Sequence, residues 1–166
     1  MPQFDISDML LQNYTPTSQN LWKVTFPNII GVQIPSFLVK SANRPAWDFD
    51  EHMIDYMTQK RKVAGKRTYQ DWQCSLNEPI DTTVTQGIIT WTSLIQQFET
   101  GLRGYVSMYK KDVTLELLDG VKNSVSKMIL VGAWPKSTNL GTLDYSNADV
   151  ITVEITFSFD GLRFIY

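Results

Sequence analysis

The sequence predicts a mainly β domain with one substantial α-helix, and three observations lead there. Ile151, Val153, Ile155, Phe157 and Phe159 alternate with Thr152, Glu154, Thr156 and Ser158, the period of a strand with one buried face. Val113, Leu115 and Leu117 alternate with Thr114 and Glu116, and Asp119-Gly120 then turns the chain toward a returning strand, Val125 to Val131. Helical periodicity is confined to one segment, where Val84, Ile88, Trp91, Ile95 and Phe98 recur at intervals of 4, 3, 4 and 3 residues.

The remaining elements follow in chain order. Residues 1–19 read as a polar arm in which Asp5 or Ser7 caps one helical turn through Met9, Leu10 and Leu11, broken at Thr15-Pro16. Asn20 to Phe26 is a first strand ended by Pro27-Asn28, and Gly31 to Val39 is a second short run. Residues 46–62 form an extended loop or long hairpin. There Asp48, Asp50, Glu51 and Asp55 are mixed with Trp47, Phe49, Met53, Ile54 and Tyr56. Thr68 to Leu76 is again strand-like. Asp81 is placed at the N-cap of a helix over 81–100, where a carboxylate meets free N–H groups, and Gly101 supplies the left-handed stop. The apolar stripe of this helix is expected to pack on a sheet. After Trp134-Pro135 a polar loop (Lys136 to Asn139) leads toward the closing strand, and Asp160-Gly161 bends the chain into a tail, 161–166.

Composition bounds the function. A chain of 166 residues suits a single domain with one core. A formal net charge of −2 and a pI near 5.3 provide no strongly basic face for tight nucleic-acid binding. One cysteine, Cys74, excludes an internal disulfide, and one histidine, His52, removes most histidine-based catalytic constellations. No apolar run approaches the ~18 residues of a membrane span, and the N-terminus lacks the basic and apolar regions of a signal peptide. A reducing cytosol is therefore the expected site of synthesis. No Gly-x-Ser-x-Gly, P-loop, His-Glu-x-x-His or Cys-x-x-Cys motif is present, so no enzymatic activity and no cofactor is expected.

The most informative stretch is Met57 to Trp72. Five of the eight residues from Lys60 to Arg67 are basic, interrupted by Val63-Ala64-Gly65 and followed by Arg67-Thr68-Tyr69 and Asp71-Trp72. With Asn77-Glu78 before the helix, this block resembles the central motif of the tail tube proteins of contractile-tailed, T4-like bacteriophages. A second block is similar to the same family: Gly132-Ala133-Trp134-Pro135, then Leu143-Asp144, Asn147 and the strand through Glu154. An early Asn20-Leu21-Trp22-Lys23-Val24 strand falls in the matching place. The chain departs from the family at Lys66, where an acidic residue is usual, and in its longer apolar tail after Asp160.

The resemblance implies two packed antiparallel sheets, sandwich- or barrel-like, with one flanking helix and a long loop that reaches from ring to ring. It implies a structural virion protein whose hexameric rings stack into a tube that conducts DNA at ejection. Its partners would be further copies of itself, a tail sheath protein, and baseplate and tail terminator proteins, with DNA only as passing cargo and no membrane. Its place would be the phage tail, after assembly in the host cytoplasm. A tube subunit of a bacterial contractile injection or secretion system, or a monomeric cytosolic binding module, are the alternatives.

Under this reading the subunit interface is expected at Trp47, Asp48, Phe49, Asp50, Glu51, Asp55, Tyr56, Lys60, Arg61, Lys62, Lys66 and Arg67. The acidic limb of one copy would meet the basic limb of another, setting register. Phosphate contacts and a plain solvated surface are the competing readings of the basic residues. Asp48, Asp50, His52 and Asp55 faintly suggest a cation site, yet lack the turn glycine and the terminal bidentate acid that calcium loops require. Cys74 is expected to be a buried hydrophobe, and Trp72, Trp91 and Trp134 core or interface anchors. Asn13-Tyr14-Thr15 is a formal glycosylation sequon that a chain without a leader would not use.

Overall fold

A computed structural model describes residues 16–166. The expected turn through Met9–Leu11 and residues 1–15 of the arm lie outside them. The elements are β1 (Trp22–Thr25), β2 (Val39–Ala42), β3 (Trp47–Tyr56), β4 (Gln59–Tyr69), β5 (Trp72–Asn77), α1 (Thr83–Ile95), β6 (Lys111–Leu118), β7 (Ser124–Asn139), β8 (Thr152–Ser158) and β9 (Gly161–Ile165). All strand pairs are antiparallel. Among the described residues, seven strands run in the order β1-β6-β7-β8-β5-β2 with β9 also on β7, while β3 and β4 pair only with each other.

β7 joins the two limbs of the large sheet. Its first half pairs with β6 on one side and β9 on the other, and its second half pairs with β8. The corner falls at Gly132, whose φ of 68° is a left-handed conformation that glycine adopts without strain. Strands that pass from one sheet to another commonly turn at such bulges. Three contacts hold this one. The Gly132 N–H donates to Asp112 Oδ1 at 3.1 Å, the Asp160 N–H donates to Val131 O at 3.0 Å, and Lys110 Nζ lies 2.5 Å from Asp160 Oδ2.

The inner faces of both limbs share one core. Val24, Val113, Leu115 and Leu130 come from one limb, Trp72, Leu76, Val153 and Phe157 from the other, and all are buried. Phe157 is the aromatic hub, with ring centroids 5.5 Å from Trp72, 5.4 Å from Trp91 and 6.1 Å from Phe26. The mainly β, two-sheet architecture with one main helix is therefore as expected. The helix buries Val84, Gly87, Ile88 and Trp91. Trp91 Nε1 donates to Tyr109 O at 2.6 Å, which satisfies its one polar atom inside the core.

The structure corrects the helix ends. The N-cap is Thr82, in a left-handed conformation without a side-chain cap bond, and Asp81 reaches only the Thr83 N–H, at 3.4 Å. The carboxylate that serves the N-terminus is Glu78, which accepts the Thr85 N–H at 3.1 Å and the Thr85 hydroxyl at 2.6 Å. It sits where the positive end of the helix dipole favours an anion. The helix stops at Ile95 because Gln96 turns extended and bridges to Arg103. Phe98 is consequently outside the helix and exposed, and Gly101 closes a following tight turn by donating to Gln97 O.

Four further differences concern strands. The Gly31 to Val39 run is instead a tight turn, with Ile29 bridged to Val32 through Ile30 and Gly31 at positive φ, followed by a 3-10 turn, Ser36–Leu38. Thr68 to Leu76 is broken at Gln70-Asp71 into the end of β4 and β5. The supposed polar loop Lys136 to Asn139 is the second half of β7, continuing through Trp134-Pro135. Pro135 is tolerated because this half of β7 has a partner on one side only, and the register shifts beside it. The 161–166 tail is β9, paired with β7 from Lys127↔Ile165 to Val131↔Gly161.

Gly132→Ala should destabilise the fold by about 1–3 kcal/mol, the order of a non-glycine residue held left-handed. Its Cβ would also stand 2.8 Å from Asp160 Oδ2. Urea unfolding of the variant against the parent chain measures this.

Candidate functional site

The β3–β4 ribbon is the feature that the body of the fold does not use. Every residue of β3 is exposed, as is all of β4 except Gly65 and Tyr69. Register Trp47↔Tyr69 through Tyr56↔Gln59, with an irregularity between Phe49 and Glu51, makes it a hairpin whose turn is Met57-Thr58. Met57 has φ 49°, the positive value that tight hairpin turns require. At about 3.3 Å per residue, a ten-residue arm extends ~30 Å.

Its base is anchored. The Trp47 ring packs edge-on to Phe164 of β9 at 5.8 Å, and Tyr69 lies 5.3 Å from Phe159. Gln70 Nε2 donates to Asp48 Oδ2 at 2.6 Å, and the Gln70 N–H to Ala46 O at 3.0 Å. The apolar end of the chain thus becomes the strand against which the hairpin rests.

The twelve expected interface residues all lie on this ribbon, so the structure brings them together. By strand alternation Trp47, Phe49, Glu51 and Asp55 share one face, with Lys60, Lys62 and Arg67 opposite them. Asp48, Asp50 and Tyr56 share the other with Arg61, while Lys66 sits in the irregularity facing Asp50. Acidic and basic limbs are cross-strand neighbours within one chain: Lys62 Nζ is 3.1 Å from Glu51 Oε1, Asp55 stands opposite Lys60, and Arg67 lies 5.1 Å over the Phe49 ring. Such exposed pairs contribute about 0–1 kcal/mol, enough to favour register and no more.

Four apolar residues between the charges, Met53, Ile54, Met57 and Val63, were not among the expected interface residues. Met53, Ile54, Met57 and Val63 are exposed along with Trp47, Phe49 and Tyr56, Met57 to 90%. Their mixture with acids was the legible signal, since a core strand would not carry it. Asp55 falls on the face opposite Asp48, Asp50 and His52, which separates the suggested cation ligands. Gly65 closes against His52: a Cβ there would stand 2.7 Å from the imidazole Nε2. Trp72 and Trp91 are core, and Trp134 is half-buried, edge-on to Tyr109 at 6.2 Å.

Comparison with known proteins follows this geometry. The family model of the T4-like virus tail tube protein gp19 matches residues 53–163, from the outer hairpin to β9. The chain belongs to that family. The tail tube protein gp19 of Enterobacteria phage T4 is 28% identical over 145 residues, covering 81% of this chain and 88% of its own length. Among solved structures, a chain of the sheath/tube terminator of the extracellular contractile injection system PVC superposes with a TM-score of 0.72 at 17% identity, covering 92% of this chain and 99% of that one. A chain of the PVC sheath-tube complex gives a TM-score of 0.61 at 19% identity, covering 98% and 99%. These two likenesses concern the fold. The tail tube match includes β9, so the apolar C-terminal strand through Arg163 lies within the family pattern.

Cys74 reports on the core beneath this surface. Burial pushes its thiol from the ordinary 9.0 up to about 12. The native thiol should resist a disulfide reagent at pH 8 and react at once in denaturant. Because the unfolded chain loses this proton near pH 9 and the folded one near 12, stability is full below pH 9 and declines as pH rises toward 12. Denaturation midpoints across that window, compared with Cys74→Ala, measure the effect.

Proposed function

We propose that this tail tube protein closes into hexameric rings that stack into the conduit for DNA at ejection, with the β3–β4 hairpin bridging one ring to the next. The observation that carries the reading is the ribbon itself. An isolated two-stranded hairpin is marginal in water, and this one holds seven large apolar side chains in solvent. A second protein surface is what such a ribbon lacks.

Further support comes from the edges. Among the described residues, β1, β2 and β9 are each paired on one side only. Open edges invite uncontrolled pairing, and closure into a ring consumes them. The conduit reading fits a mildly acidic chain, because a wall that gripped phosphates would hinder translocation. A sheath around the tube, with baseplate and terminator proteins at its ends, completes the set of partners, in the virion tail after assembly in the host cytoplasm. The role is structural, with no catalysis. Injection-system tubes share the fold, and the sequence relatives favour the phage tail.

Lys60→Glu with Arg61→Glu leaves the Lys62–Glu51 pair intact and should abolish stacking while the monomer stays folded. Negative-stain microscopy at high protein concentration, with circular dichroism as the folding control, tests this. Tubes of normal length from the double variant would remove the hairpin from the interface.

A further inference from the structure

The two ends of the β5–β8 strand pair differ in kind. At one end Trp72 pairs with Phe157, and the hairpin leaves the body three residues earlier, at Tyr69. At the other end Asn77 pairs with Thr152, and the Glu78 N–H donates to Ile151 O. That second end carries the connection from β7 to β8. The two ends are about 17 Å apart along β5, five steps at 3.3 Å.

The β7–β8 connection encloses a groove of about 720 Å³, lined among others by Leu143, Asp144, Tyr145, Asp149, Val150 and Glu154. Leu143, Tyr145 and Val150 are exposed, Tyr145 completely. Side-chain turns fix the loop: Asp144 Oδ1 accepts the Ser146 N–H at 2.9 Å and its hydroxyl at 2.7 Å, and Asn147 Oδ1 accepts the Asp149 N–H at 3.1 Å. Those bonds also hold the Asp144 carboxyl below its usual range, so it stays ionised. The groove therefore sets exposed apolar side chains among a polar lining that carries three carboxylates, and the basic group beside it is Lys40, whose Nζ lies 3.5 Å from Thr152 Oγ1.

The hairpin tip has the complementary character. Tyr56 and Met57 are exposed apolar side chains, 70% and 90% accessible, and Lys60 and Arg61 follow after Thr58-Gln59. We infer that the groove between β7 and β8 is the seat for the hairpin tip of a second copy of this chain, in the adjacent ring. The inference rests on the stacking reading above and names the surface that receives the hairpin. Tyr56 and Met57 cover Leu143, Tyr145 and Val150, while Lys60 and Arg61 face Asp149 and Glu154.

Position supports the pairing as strongly as charge does. Hairpin and groove lie at opposite ends of the same strands, so copies placed head to tail along the strand direction bring one to the other. The contact is heterologous and leaves a ring of free hairpins at one end of every stack and a ring of free grooves at the other, which is how an open stack propagates. Like charges would also reject a head-to-head approach, in which groove meets groove.

Two experiments on the full chain test it. Asp149→Lys with Glu154→Lys should yield folded rings without tubes, and adding Lys60→Glu and Arg61→Glu to the same chain should restore tubes. Independently, a Thr58→Cys/Tyr145→Cys chain, whose own Cys74 is buried, should form ladders of disulfide-linked multimers under mild oxidation. If Asp149→Lys/Glu154→Lys forms normal tubes and no ladder appears, while Lys60→Glu/Arg61→Glu still blocks stacking, the groove is not the seat and the hairpin reading survives. If Lys60→Glu/Arg61→Glu forms tubes as well, both fall together. Should the lysine variant fail to fold, the ladder decides, since neither cysteine position belongs to the core.

Discussion

The bend of β7 at Gly132 is the constraint on which the rest of the molecule depends. One strand supplies the edge for β6 and β9 before the bend and for β8 after it, so both limbs inherit their register from it. The left-handed glycine permits the turn, and Lys110, Asp112 and Asp160 hold it from three directions. With the limbs set at that angle, their inner faces enclose Phe157 and the tryptophans, and α1 covers the remaining opening. β8 and β9 follow β7 on either side of the same bend, which delivers Phe164 to the base of the hairpin. A change at this corner therefore reaches the projecting ribbon through β9.

The body and the ribbon divide the work of the chain. The body encloses one contiguous apolar core and leaves none of its buried side-chain polar atoms without a partner among the described residues. The ribbon encloses no core. Lys62 pairs with Glu51 across its strands, and its apolar side chains remain in solvent. A hairpin that repelled itself would splay, and one without charge would pair with any open edge. Internal charge pairing keeps it extended and soluble, and the apolar residues leave it adhesive to a matched surface. A subunit with such a ribbon at one end and an acidic groove at the other is polar along its strands.

Much of this was legible in the sequence where side-chain periodicity alone decides structure. The closing strand, the Val113 to Leu117 strand and the helical stripe from Val84 to Ile95 stand as the spacing implies, because each has one buried face. The mixed acidic-aromatic stretch marked the ribbon, and the two family blocks marked the protein. What failed was set by tertiary context. Pro135 reads as a strand breaker, yet an edge position beside a register shift accepts it. Leu162 to Tyr166 reads as a tail, and becomes a strand only because the first half of β7 has a free side. Glu78 lies outside any cap window and serves the helix across a turn. The intramolecular pairing of the two charged limbs required the hairpin register, which composition does not contain. The groove loop shows only scattered Leu143, Tyr145 and Val150, without a period to flag them.

The most direct measurement of the central claim is a helical reconstruction of the assembled tube by cryo-electron microscopy. The account predicts that density for β3 and β4 crosses the boundary between rings and that its Met57-Thr58 tip contacts the β7–β8 connection of the neighbouring copy. A hairpin folded within its own ring, or pointing free into the lumen or outward from the wall, would contradict it.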